Sequence, residues 1–386
     1  MHSPGVAGHL SVLTVLGTRP EAVKLAPVIH SLESEARITS RVCVTGQHRE
    51  LLEPFLSLFQ IDSSIHLRLM EVNQSLPGFF SKALTSIGDV LDAEKPGVVL
   101  VHGDTTTALA ACLAAYYRQI PIGHVEAGLR TGDKYSPFPE EMNRRWIDAV
   151  SDWLFAPTEH ARRCLLAEAI PEDKVFVTGN TVIDALQWMV GKQSAPGRDQ
   201  YLTEQMAETH GLVLDERRLI LVTGHRRESF GKPFEQVCLA LRQIAEQNPD
   251  VLLVYPVHLN PNVRRPVMDI LNGIPNVHLI EPLGYEEFVY LMRRAAFILT
   301  DSGGIQEEAP SLSKPVLVMR EKTERPEAIE AGVARLVGTD VQTIACAAQL
   351  LLDDSLAYDA MSTGGSPFGD GHAAERIVRI LLEGDG

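Results

Sequence analysis

Short apolar runs rich in Val, Ile and Leu alternate with amphipathic helical patterns along almost the whole chain. A run without polar alternation suits a strand buried on both faces, and a repeating strand–helix unit closes into a parallel sheet with right-handed crossovers. The predicted strands of the first half are Leu10–Leu16, Ser40–Thr45, Val98–His102, Ile122–Glu126, Trp153–Ala156 and Val175–Thr178. In the second half they are Leu219–Thr223, Val251–Pro256, Val277–Ile280, Phe297–Thr300, Pro315–Met319 and Ala334–Val337. Helices are predicted between them, among others at Glu21–Glu33, Thr106–Arg118, Glu140–Val150, Phe234–Asn248 and Glu286–Ala295. The pattern loosens between about Gly191 and Arg218, where Gly191 to Gly197 is polar and rich in breakers. With 386 residues there is chain enough for two cores. We expect an α/β protein of two Rossmann-like, doubly wound domains facing a central cleft. The expected domains are 1–180 and 181–370, with a terminal helix in 371–386 packing back on the first.

Net charge is −15, from 50 acidic and 35 basic residues, which argues against nucleic acid or an anionic membrane as a partner. The apolar run Leu10–Leu16 is too short to span a bilayer, and the first residues lack the pattern of a secretion leader. The five cysteines, Cys43, Cys112, Cys164, Cys238 and Cys346, are scattered with no C-x-x-C pair. That pattern reads as a reducing, cytoplasmic setting with no disulfide framework, no thiolate metal site and five small core residues.

The residues Thr300 to Ala309 read Thr-Asp-Ser-Gly-Gly-Ile-Gln-Glu-Glu-Ala and follow the apolar run Phe297-Ile298-Leu299. A strand, a small-residue turn and a helix start aim free backbone N–H groups and the positive end of a helix dipole at one point. Ser302 adds a hydroxyl, Gly303 and Gly304 let a ligand approach the backbone, and Glu307 and Glu308 can accept from ribose hydroxyls. The stretch proposes a nucleotide phosphate.

Other motifs also sit at strand ends, where open α/β folds bind ligands. Gly17-Thr18-Arg19-Pro20-Glu21-Ala22-Val23-Lys24 is neither a dinucleotide fingerprint nor a Walker A loop. It places Arg19 at the sheet mouth, with Lys24 one turn on. Asp104, in His102-Gly103-Asp104-Thr105, could cap the next helix as readily as act in a site. Glu126 ends an otherwise apolar strand. Glu140 and Glu141 open a helix, where serving the dipole accounts for one of them. Asp104, Glu126 and Glu140 (or Glu141) thus form a set of acids suited to proton transfer. Crowded carboxylates repel, so at least one should hold a raised pKa. In the second half His225, beside Arg226 and Arg227, suits a phosphate or a proton-transfer role, and Arg325 in Glu324-Arg325-Pro326-Glu327 could meet a phosphate.

Gly17 to Ala22, Gly103-Asp104-Thr105, His124 to Arg130, Pro137 to Arg144, Gly224 to Glu228, Asp301 to Glu308 and Thr323 to Glu327 resemble the non-hydrolysing UDP-N-acetylglucosamine 2-epimerases. The resemblance runs from about residue 10 to residue 384, in the family's order. It implies the glycosyltransferase-B fold, a homodimer, and no metal or redox cofactor. It implies inversion at C2 of a UDP-sugar by elimination of UDP to 2-acetamidoglucal and re-addition. By the same resemblance Asp104, Glu126 and Glu140 handle protons and His225 assists departure of the phosphate. Arg19 and Lys24 contact phosphate and substrate, and Ser302, Gly303 and Gly304 form the pyrophosphate nest. Glu308 meets the ribose, Arg325 the substrate and Phe288 the uracil, while Leu283 stands where some members carry Gln. Thr45 to Glu50 resembles part of a second, activating UDP-N-acetylglucosamine site, in which Glu50 and Asn73 replace more favourable polar or basic residues. A glycosyltransferase of the same fold, a hydrolytic variant, a sensor, or an epimerase for a modified UDP-N-acetyl sugar would share much of this inventory. The three acids favour epimerisation, since transfer normally needs one base.

Overall fold

The structure, a computed structural model, describes residues 9–46, 49–69, 71 and 74–384. The chain forms two compact units, Met1–Ala185 with Phe368–Gly386, and Leu186–Pro367. The division falls inside a helix, Thr181–Gln193. The stretch that reads as loose is largely helical, because Arg198–His210 forms a helix flanked by Gly197 and Gly211, both left-handed. Glycines that look like breakers in sequence here serve as caps.

The first unit holds seven strands: β1 (Leu10–Leu16), β2 (Ile38–Val44), β3 (Ile65–His66), β4 (Val98–His102), β5 (Ile122–Val125), β6 (Trp153–Ala156) and β7 (Val175–Val177). They pair in parallel in the order β3-β2-β1-β4-β5-β6-β7. The second unit holds β8 (Arg218–Thr223), β9 (Val251–Pro256), β10 (Val277–Ile280), β11 (Ala295–Thr300), β12 (Val316–Val318) and β13 (Ala334–Leu336). Their order, again parallel, is β10-β9-β8-β11-β12-β13. In each sheet the winding reverses once, between β1 and β4 and between β8 and β11. Connections leave such a point toward opposite faces and open a crevice at the carboxyl ends of the strands. The edge strand β3, only two residues long, has no pattern that sequence could display.

Burial explains the apolar runs. All five residues of β4 are buried, and Val15, Val99 and Val101 share one core with Phe79, Ile87 and Ile147. The helix Thr106–Tyr116 packs there between the helices Leu76–Glu94 and Glu140–Val150 and is lined with alanines, which admit close approach. In the second unit Phe234, Leu241, Tyr255 and Phe297 anchor the core. Cys43, Cys112 and Cys238 are core residues as expected, and burial pushes each thiol up to about 12. Cys164 is half-buried and Cys346 is exposed, so these two are not core residues. Among the described residues no helix is long and apolar enough to cross a membrane.

The terminal helix Ala373–Glu383 belongs to the first unit and packs on the helix Arg19–Ser34. It buries Ala373, Ala374, Ile377, Val378 and Leu381. The Ala374 N–H donates to Asp184 Oδ1 at 2.8 Å, and Arg376 Nη1 donates to the Thr178 carbonyl at 3.0 Å. Each large aliphatic side chain buried there contributes about 1.5–3 kcal/mol. Ending the chain after Pro367 should therefore destabilise the first unit by at least about 5 kcal/mol in urea unfolding. An unchanged midpoint would mean that the terminal helix is dispensable.

Candidate active site

The loop after β1 is tight. A Cβ on Gly17 would lie 2.6 Å from both Thr45 Oγ1 and Thr107 Oγ1, so only glycine fits. Glu21, 1% exposed, shapes this loop by accepting from the N–H groups of Gly17 and Thr18 and from the hydroxyls of Thr18 and Thr105. Burial raises the pKa of its carboxyl, and those hydrogen bonds offset part of the rise. Arg19 stands exposed, its guanidinium 5.3 Å from the Phe55 ring centroid.

Two loops of the same sheet edge carry the other acids. At the end of β4, Thr105 caps the following helix, its hydroxyl accepting from the Ala108 N–H at 3.0 Å. Asp104 therefore does not act as the cap, and its carboxylate pairs instead with Arg144. Asn143 donates to the Asp104 carbonyl at 2.9 Å, so the helix Glu140–Val150 holds this residue from two sides. Directly after β5, Glu126 has φ of +67°, in the left-handed region. For a residue with a side chain that conformation costs about 1 kcal/mol or more, and such strain gathers at functional sites. Its Oε2 accepts from Lys24 and, at 3.3 Å, from Asn180 Nδ2. Burial would raise the pKa of the Glu126 carboxyl, but the Lys24 ammonium and the facing His102 outweigh it and hold that pKa well below the usual carboxylate range.

Burial distinguishes Glu140 from Glu141. Glu141 is fully buried, accepts from the N–H groups of Thr131 and Gly132, and pairs with Arg144 and Arg145. It organises the loop. Glu140 is half-buried at the helix start and makes no hydrogen bond or ion pair among the described residues, which leaves its carboxylate for another task. Crowding among the acids does not raise Glu126, whose pKa Lys24 and His102 hold down; burial raises Glu21 instead.

In the second unit β8 and β11 end side by side. The Thr223 and Thr300 hydroxyls meet at 2.6 Å, and Thr300 Oγ1 also accepts from the Ser302 N–H at 2.9 Å. Asp301, buried, accepts from the N–H groups of His225 (2.7 Å) and Arg226 (2.8 Å) with one oxygen and so fixes that loop. The exposed His225 ring stacks on His258, with centroids 5.4 Å apart. The helix Gly303–Glu308 starts at Ser302, whose hydroxyl does not cap it, so the first N–H groups remain available to an acceptor. A Cβ on Gly303 would lie 3.5 Å from Arg226 Nη2 and 3.8 Å from Arg325 Nη2. Two guanidiniums and a helix start thus converge on one small residue, a suitable cradle for a diphosphate. Arg325 is steadied by Glu307 Oε1 at 2.5 Å. Glu308 Oε2 accepts from the Tyr285 hydroxyl at 2.9 Å, on the helix Tyr285–Arg294 that also carries the half-buried Phe288.

The structure therefore brings Lys24 to Glu126 and Arg325 to the Ser302–Gly304 turn, while Arg19 stands apart, engaged with Phe55. Sequence reasoning missed Arg144, Asn180, Asp301, Tyr285 and the environment of His102. Arg144 lay inside a quoted motif with no sign of its target, and the others reach their partners across loops distant in sequence. Gln47, His48 and Asn73, and the side chains of Arg49, Glu50 and Arg227, lie outside the described residues.

The profile of the family described as UDP-N-acetylglucosamine 2-epimerase matches residues 30–382. The chain is 53% identical to a UDP-N-acetylglucosamine 2-epimerase of Yersinia pestis, over 96% of this chain and 98% of that protein. It is 52% identical to one of Escherichia coli K12, with the same coverage of each. Its fold matches the crystal structure of a UDP-GlcNAc 2-epimerase from Neisseria meningitidis bound to UDP-GlcNAc, with a TM-score of 0.89 and 50% identity, covering 97% of this chain and 100% of that one.

The Lys24–Glu126 pair makes stability depend on pH. A carboxyl whose pKa is depressed on folding stabilises the fold above its unfolded pKa, and that contribution fades as pH falls toward the folded value. Lys24→Met should cost about 3 kcal/mol at pH 7.5, because it strands a buried carboxylate. Without the ammonium, burial raises the Glu126 pKa, so acid protonates that carboxyl and narrows the gap. Urea unfolding at pH 7.5 and pH 5 measures this; a gap that widened in acid would contradict the pairing.

Proposed function

The chain belongs to the UDP-N-acetylglucosamine 2-epimerase family, and from that premise we propose that it interconverts UDP-N-acetylglucosamine and UDP-N-acetylmannosamine by eliminating UDP across C1–C2 and adding it back. The observation that carries this reading is Glu126, strained and buried at the end of β5 with its carboxylate held ionised by Lys24. The C2 proton has no neighbouring carbonyl and is not acidic, so a base that strong is not available in a protein. Loss of UDP makes C1 electron-poor and acidifies C2–H, and a carboxylate suffices from then on.

Asp104, Glu126 and Glu140 take the proton roles, and an acid other than the base delivers a proton to the second face of C2. The cradle of Ser302, Gly303, Gly304, Arg226 and Arg325 holds the diphosphate, and it must keep UDP after the bond breaks so that it can return. His225 donates to the departing phosphate. Glu308, oriented by Tyr285, meets the ribose, Phe288 lines the uracil pocket, and Arg19 contacts phosphate. We place the reaction in the cytoplasm, in keeping with five free thiols. We further propose a homodimer formed through the first unit, where Tyr116, Tyr117 and Trp146 expose more than half of their surface on or beside two helices packed together.

In deuterated water, both UDP-sugars should acquire deuterium at C2, read by NMR, with no added cofactor. Recovery of unlabelled substrate from protein that binds UDP would sink the reading. Glu126→Gln should lower exchange at least about 100-fold while UDP affinity stays within twofold. For the assembly, Tyr117→Lys with Trp146→Lys should convert a dimer to a monomer in sedimentation velocity; a wild type that sediments as a monomer would contradict the proposed interface.

A further inference from the structure

His102 ends β4 and is 4% exposed, yet both of its ring nitrogens are buried without a hydrogen-bond partner among the described residues. An unmet buried polar group costs about 1–3 kcal/mol, so such a ring calls for a reason. Its Nε2 lies 3.7 Å from Glu126 Oε1, just outside hydrogen-bond range. Oε1 is the carboxylate oxygen that remains once Oε2 is engaged by Lys24 and Asn180. The charged groups facing His102 and its neighbour are Glu126 after β5, and Glu21 and Lys24 on the helix after β1. Glu126 Oε2 is matched by the Lys24 ammonium, and Oε1 faces His102 Nε2, a base placed to take a proton that arrives on that oxygen.

On the elimination reading given above, we propose that His102 receives the proton that Glu126 takes from C2 and holds it while UDP and the glucal stay bound. The C2–H bond breaks toward Glu126 Oε1, its electron pair forms the C1–C2 double bond, and the C1–O bond gives its pair to UDP. The proton then crosses to His102 Nε2 and restores the Glu126 carboxylate beside Lys24. A separate acid protonates the opposite face of C2, UDP returns to C1, and His102 releases its proton to water after the product leaves. The transfer has a stereochemical consequence. A proton left on Glu126 faces the carbon it came from, and its return regenerates the starting epimer. Moving it one residue back removes that route and commits the intermediate to inversion. His102 is thus a positioning residue for the proton, acting through Glu126.

The test separates elimination from inversion. Substrate carrying 18O in the bridge between C1 and the β-phosphorus scrambles that label into the non-bridging positions whenever UDP leaves and returns, whichever epimer forms. In His102→Gln, epimerisation should fall about 10- to 100-fold while scrambling falls less than about threefold, so that their ratio shifts toward return. His102→Asn should behave alike. Equal loss of both rates in both variants, as a structural role demands, or no loss of either, would overturn the proposal. Failure of the unaltered protein to scramble or epimerise at all would instead remove the elimination reading itself.

Discussion

Both sheets are parallel throughout, and that constraint governs everything else in the molecule. All strands of a parallel sheet end on the same edge, so every loop that leaves a carboxyl end is delivered to one side. Where the winding reverses, between β1 and β4 and between β8 and β11, the neighbouring loops diverge and leave room. The groups with chemistry are at those places. Gly17 and Asp104 flank the reversal of the first sheet, with Glu126 one strand further. Gly224, His225, Asp301 and Ser302 flank that of the second. A parallel sheet also needs cover on both faces, which is why the strands are so apolar and why polar residues at their ends stand out.

The second theme is charge balance at low exposure. Several acids of the sheet edges face a cation: Glu126 faces Lys24, Asp104 and Glu141 share Arg144, Glu141 also meets Arg145, and Glu307 faces Arg325. Removing a carboxylate from water is costly, and at Glu126 the Lys24 ammonium is what keeps it ionised. Glu21 shows the other outcome, since hydroxyl and amide donors alone do not cancel the effect of burial, and its pKa rises. His102 stands at the junction of the two cases, between an acid with a cation and one without. Its ring, with no hydrogen-bond partner among the described residues, faces Glu126 Oε1.

Much of the fold could be read directly from the chain. Val98–His102 matched its strand because a continuous apolar run has few other uses, and the Ser302–Glu308 turn was visible because a small-residue break between strand and helix has a distinctive composition. Other elements were hidden for physical reasons. β3 is too short to have a period. The helix Arg198–His210 looked like a linker because its capping glycines are also breakers. Asp104 was ambiguous because a helix cap and a site acid have the same local signature, and only the Thr105 bond to Ala108 removed the first explanation.

The sequence by itself determined the class of fold, the strand-end position of almost every chemical group and the family to which those groups belong. All of these follow from local patterns within about ten residues. Only the tertiary structure decided which acids are paired. Glu140 and Glu141 are adjacent and equivalent on paper, yet Glu141 is buried in a network with two arginines and Glu140 carries no bond among the described residues. Glu126 is ionised because of Lys24, 102 residues away in the chain, and His102 is significant because nothing among the described residues bonds to it. Charge state and hydrogen-bond satisfaction are properties of surroundings, and the surroundings of a buried group are assembled from segments that sequence proximity does not connect.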